Sequence, residues 1–189
     1  MITAQEAFRG LYGAWRLFLR DRSALALFDD SIEGYWKSFS CAAIVLPGYI
    51  LLVYGAGAEL SADVHPIRIV VVEGIGYVIG WVAWPLAAAY IAPLLGRGEN
   101  YMRYIVAYNW SAGTQIVALL LLLVFQGSGI VSEGAFAGIG LVALLILLFY
   151  HGFIVRVALD IRVELAVALV IGEFLLGQMI RTVANALLS

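Results

Sequence analysis

The sequence predicts an all-α fold: a polytopic integral membrane helical bundle of about five transmembrane helices, preceded by an amphipathic amino-terminal helix. Three observations carry this reading. The 189 residues are 63% hydrophobic and only 13% charged, with a mean hydropathy of +0.98, outside the range of water-soluble domains. Five stretches are apolar for long enough to cross a hydrocarbon layer of about 30 Å at 1.5 Å per residue. Positive charge falls in alternate gaps between those stretches. The length leaves room for one membrane bundle and no separate soluble domain. Residues 1–34 are therefore expected as a cytoplasmic amphipathic segment and residues 35–189 as the five-span bundle.

The chain opens with Thr3 and Glu6 at capping-box spacing. Phe8, Leu11, Tyr12, Trp15, Phe18 and Leu19 follow at helical intervals, with Arg9, Arg16 and Arg20 on another face. Such a helix either lies in the headgroup plane or packs on the cytoplasmic ends of the bundle; three arginines keep it from spanning. Those charges also interrupt any secretory core, so this end is expected to be retained. Ser23 to Phe28 form a short apolar segment, and Asp30 with Glu33 suggests a new helix start.

The first span is expected at about Tyr35 to Tyr54, anchored at the interface by Trp36 and Lys37 and kinked at Pro47. A loop from Gly55 to Pro66 carries Glu59, Asp63 and His65. The second apolar stretch, about Ile67 to Leu95, exceeds a perpendicular crossing, so it tilts, kinks at Pro85 or Pro93, or protrudes. Span three covers about Tyr104 to Phe125. The turn Gln126 to Glu133 leads to span four, about Ala135 to Val155. The charged connector Arg156 to Arg162 precedes span five, about Val163 to Ile180.

Of the 11 basic residues, Arg9, Arg16, Arg20, Arg22, Lys37, Arg97, Arg103, Arg156 and Arg162 flank one side. Only Arg68 and Arg181 lie toward the other. The positive-inside rule then places the amino terminus in the cytoplasm and the carboxyl terminus outside. A bacterial inner membrane, crossed several times, is the expected location.

Glu173 is the sharpest candidate for chemistry. It lies on the order of 16 Å along the fifth span, near the midplane, where an ionised carboxylate is costly. It is either a proton or cation site, or a neutral carboxyl bonded toward Asn109, Gln115 or Gln178. Glu73, about 9 Å below the surface if its span begins near Ile67, is expected to be interfacial or paired with Arg68. Asn109 is expected as polar glue between helices, with ligand binding as the alternative. His151 is expected as a packing or wetted rim residue near Arg156. Arg156 and Asp160 fall at i, i+4 spacing and should pair. Gly76 with Gly80, and Gly134 with Gly138, form small-xxx-small faces expected to let helices approach within the bundle.

Much is excluded. The sequence holds no P-loop, no HExxH and no CxxC motif. With Cys41 alone, disulfide frameworks and cysteine-based zinc sites within one chain cannot form. His65 and His151 are expected on opposite sides, which rules out bis-histidine haem ligation in one chain. No lysine lies deep in a span, against a retinal Schiff base, and no arginine ladder resembles a voltage sensor. No cofactor, metal or catalytic residue is implied.

The five-span plan, the run YMRYIVAY at residues 101–108 and the segment Phe149 to Ala168 resemble the Yip (Rab/Ypt-interacting) membrane family. The likeness is to its bacterial branch and covers residues 35–180. It implies a membrane organising role; eukaryotic members participate in vesicle trafficking and contact lipidated GTPases. Of their Asp-Leu-Tyr-Gly-Pro element only Leu11, Tyr12 and Gly13 stand here, and no functional residue is carried over. The leading expectation is a non-enzymatic membrane organising or interaction protein. The alternative is a small transporter or channel-like protein using Glu173, with Asn109, along a polar path; an integral membrane enzyme ranks third. The implied partners are the lipid bilayer and either a second copy of the chain or another membrane protein, and not nucleic acid.

Overall fold

The computed structural model describes residues 2–55, 65–129 and 132–188; Glu59 and Asp63 lie outside them. The described residues are helical and include no strand, so the all-α reading holds. Five helical segments are long and apolar enough to cross a membrane, which makes this a multi-pass membrane protein.

α1 (Ala4–Phe18) begins with the expected capping box. The Glu6 N–H donates to Thr3 Oγ1 at 3.2 Å, and the Thr3 N–H donates to Glu6 Oε2 at 2.7 Å. The apolar segment that follows is a 3-10 helix, Arg22–Leu27. α2 (Ile32–Ser38) is capped by Ser31, not by Asp30: the Gly34 N–H donates to Ser31 Oγ at 3.1 Å. Asp30 takes no part and is exposed. A break at Phe39 separates α2 from α3 (Ser40–Gly55), and the two together form the first span, Ile32–Gly55.

Pro47 lies inside α3 without ending it. It has no N–H for the Ala43 carbonyl, and in that turn the neighbouring Ala42 carbonyl accepts the Tyr77 hydroxyl at 2.6 Å. α4 (Pro66–Leu94) has 29 residues, about 43 Å of helix. It runs on through Pro85, and its excess length is taken up by protein: Trp84, Pro85, Ala88 and Ala92 are buried. The Trp84 Nε1–H donates to the Tyr104 hydroxyl at 2.6 Å. α4 closes in a Schellman turn, with Gly96 at φ 69° and the Arg97 N–H on the Ala92 carbonyl at 2.8 Å.

α5 (Tyr101–Gly127), α6 (Glu133–Leu159) and α7 (Val163–Ala186) complete the bundle. The first half of α5 is its axis: Tyr104, Ile105, Val106, Ala107, Asn109 and Trp110 are nearly or wholly buried. Leu121 and Val124 in the second half face outward, as lipid-facing positions do. The core therefore sits at the basic end. It joins Ala14, Leu17, Ala24 and Phe28 to Tyr104, Ile105 and Ile154. The boundary expected between residues 34 and 35 falls inside α2.

α1 packs on the bundle through its small residues. A Cβ at Gly10 would strike the Trp110 ring, one at Gly13 the Phe28 ring, and one at Gly113 the Leu11 side chain. The buried Tyr150 hydroxyl donates to the Ala14 carbonyl at 2.7 Å. Phe8, Tyr12 and Trp15 face outward instead. Of the two expected arrangements, packing on the bundle is the one the structure describes, with these rings on the face turned away from it.

Charges knit this end together. Lys37 lies 2.6 Å from Glu6 and 2.7 Å from Glu33, and Arg16 pairs with Asp21. Asp160 does not pair with Arg156. It adopts left-handed backbone (φ 55°) at the end of α6, which takes its carboxylate out of helical register and toward Arg22 (3.6 Å) and Arg97 (3.8 Å). The free carbonyls of α6 are covered by Arg103, through Nε on Ala158 at 2.9 Å, and by Asn100 on Leu159 at 3.0 Å.

Candidate functional site

α6 and α7 run antiparallel from a tight turn, so residues at similar distances from it lie at similar depths. His151 is about 12 Å along α6 from that turn and Glu173 about 15 Å along α7. Their side chains meet: His151 Nδ1 lies 2.8 Å from Glu173 Oε1 and 3.0 Å from Oε2. Both are largely enclosed, with 12% and 14% of the side chains exposed. The Tyr108 ring stands edge-on to the imidazole, centroids 5.6 Å apart. His151 Nε2 is buried and has no hydrogen-bond partner among the described residues.

The pair lines a cavity of about 400 Å³ bounded by α3, α4, α5, α6 and α7. Trp81 and Tyr108 accompany it at one end; Tyr49, Glu73, Arg181 and Asn185 line the other. From Glu173 to Arg181 the cavity wall runs about 12 Å along α7. The Tyr49 hydroxyl donates to Glu73 Oε2 at 2.8 Å. A second hollow of about 250 Å³ lies between α5, α6 and α7, and His151, Glu173 and Arg181 line it too. The pair thus borders both hollows, each lined by polar and apolar side chains together.

This arrangement can hold and pass a proton. Glu173 and His151 share one exchangeable proton whether drawn as carboxylic acid with imidazole or as carboxylate with imidazolium. Neither form leaves a lone charge in a low-dielectric setting. A second proton charges the pair, and a cation or hydrogen-bond donor entering the cavity competes for the carboxylate.

Several expectations are corrected here. Glu173 bonds to His151 rather than to Asn109, Gln115 or Gln178, although Gln115 lines the same cavity. His151 is no rim residue. Glu73 is bonded to Tyr49 and makes no ion pair with Arg68 among the described residues. Asn109 is wholly buried away from the cavity, its Nδ2 donating to Ser38 Oγ at 2.8 Å, which fits glue between α5 and α2 and separates it from Glu173. Gly76 and Gly80 line the cavity instead of packing, and a Cβ at Gly76, Gly80, Gly134 or Gly138 would meet nothing within 4 Å. Close approach is made at Gly10, Gly13, Gly48 and Gly113. Sequence reasoning missed His151, Arg181 and Tyr49 as cavity residues; matched depth about the α6–α7 turn was the signal for the first.

No family model matches the chain, and no curated protein or solved structure matches it.

Proposed function

We propose that the chain is a non-enzymatic integral membrane protein whose working part is the α4–α7 cavity, where a small polar solute or proton binds within the bilayer and passes through it. The observation that carries this reading is the His151–Glu173 pair facing a cavity whose lining also holds Glu73 and Arg181. Intramembrane ionisable groups are costly and concentrate on solute and proton paths. Basic residues gathered at one end favour a cytoplasmic amino terminus, an outer carboxyl terminus and a bacterial inner membrane.

The test is flux. In liposomes of defined lipid carrying a pH-sensitive dye, an imposed pH gradient should dissipate through the wild type. It should persist in Glu173→Gln, whose amide cannot release a proton, while helix content is unchanged. Equal dissipation in both would remove Glu173 from the path.

The second reading is a membrane organising or interaction protein of the Yip type, with the outward rings Phe8, Tyr12 and Trp15 on α1 as the contact face. In that case neither protein moves protons above empty vesicles.

A further inference from the structure

On its lipid-facing side the α6–α7 pair carries a different hollow, an apolar groove of about 330 Å³. Leu145, Phe149, Val167 and Ile171 form its walls and Gly152 lies in its lining. Along α6, from Leu145 to Arg156, it extends about 16 Å, on the order of one leaflet of hydrocarbon. Two arginines, Arg20 and Arg156, close its basic end.

These two differ from their neighbours. Arg16, Arg22 and Arg97 pair with aspartates, whereas neither Arg20 nor Arg156 has a carboxylate partner among the described residues. Arg20 occupies the left-handed position (φ 66°) that ends α1, a place glycine fills with less strain. The Asp21 N–H closes that turn on the Arg16 carbonyl at 3.0 Å. The guanidinium lies over the Phe153 ring, 5.3 Å from its centroid, and its N–H groups have no acceptor among the described residues.

We infer that this groove binds an anionic phospholipid, its phosphate between Arg20 and Arg156 and an acyl chain along α6 and α7. Guanidinium donors match phosphate oxygens, the walls match a hydrocarbon chain, and a basic pocket between spans at the headgroup level is where anionic lipids are held. The charge at the mouth selects the anionic headgroup over a zwitterionic one.

The test uses the whole chain in nanodiscs of phosphatidylcholine with one fifth phosphatidylglycerol, released for native mass spectrometry. The wild type should retain phosphatidylglycerol in preference to phosphatidylcholine. Arg20→Gln with Arg156→Gln should lower that retention roughly thirtyfold, the order expected for two basic residues at an anionic surface. Arg22→Gln, at an arginine already paired with Asp160, should not. Gly152→Leu, whose Cβ has room but whose side chain fills the groove, should displace the lipid without touching either arginine. Excess inorganic phosphate should not compete, because it lacks the chain. Equal retention of both lipids by the wild type, or a double variant and Gly152→Leu that both retain phosphatidylglycerol as the wild type does, would overturn the assignment.

Discussion

Leu17 decides how α1 is held. Its side chain is 0% exposed and belongs to one core cluster with Ala24, Phe28, Ile105 and Ile154. Leu17→Ala removes that packing and leaves a cavity. Buried Leu→Ala changes cost about 2–5 kcal/mol, and about 3 suits a site near a helix end that can partly close. If α1 opens locally, 3 kcal/mol corresponds to about a hundredfold faster amide exchange in α1. The comparison is the triple change of Phe8, Tyr12 and Trp15 to serine. Those rings are 71%, 46% and 49% exposed and face outward whether or not α1 is docked. Their removal should leave α1 exchange within about threefold. Hydrogen exchange with mass spectrometry, in nanodiscs, reads both. Unchanged protection in Leu17→Ala, or opening as large in the triple variant, would refute the packing argument.

Two further outcomes follow from the same geometry. Gly80→Leu should keep the melting temperature while filling the cavity; Gly113→Leu, driven into Leu11, should cost about 1–3 kcal/mol, or about 2–4 °C per kcal/mol at this size. A melting temperature falling equally in both would contradict it. The Lys37 hydrogen bond, then the Thr3 backbone and hydroxyl, hold the Glu6 carboxyl down at about 2. Because that value is depressed, the tie from α1 to α2 is fully present above the ordinary carboxylate range and is lost as pH falls through about 2. α1 should therefore stay protected from exchange at about pH 4 and loosen only on approach to pH 2, a dependence that Glu6→Gln abolishes.

Apolar run length and charge alternation were sufficient to read the five spans, because both are local properties of the chain. The capping box at Thr3 was equally local. Cap choice at Ser31 over Asp30 was not, since it depends on which side chain reaches the Gly34 N–H. Span ends shifted because helix continues beyond hydrocarbon wherever protein covers it, as Trp84 and Ala92 do on α4. Glycine spacing misled: Gly76 and Gly80 have the packing signature but border a cavity, whereas Gly113, without it, takes Leu11. Glu173 stood out as a lone carboxylate in an apolar run. Its partner did not, because His151 lies on another helix and only the fold of the α6–α7 hairpin brings the two together.

Whether the α4–α7 cavity holds water is the central claim, and Gly177 tests it, lying one turn from Glu173 in the lining of both hollows. With the buried Cys41 replaced by alanine, single cysteines at position 177 and at the outward-facing position of Leu175 are reacted with a charged, impermeant thiosulfonate in nanodiscs. Thiolate forms in water and not in lipid, so Gly177→Cys should react at least tenfold faster than Leu175→Cys, and Gly80→Leu should slow it. Equal, slow reaction at both positions would mean that the cavity is sealed and dry, and the account would fail.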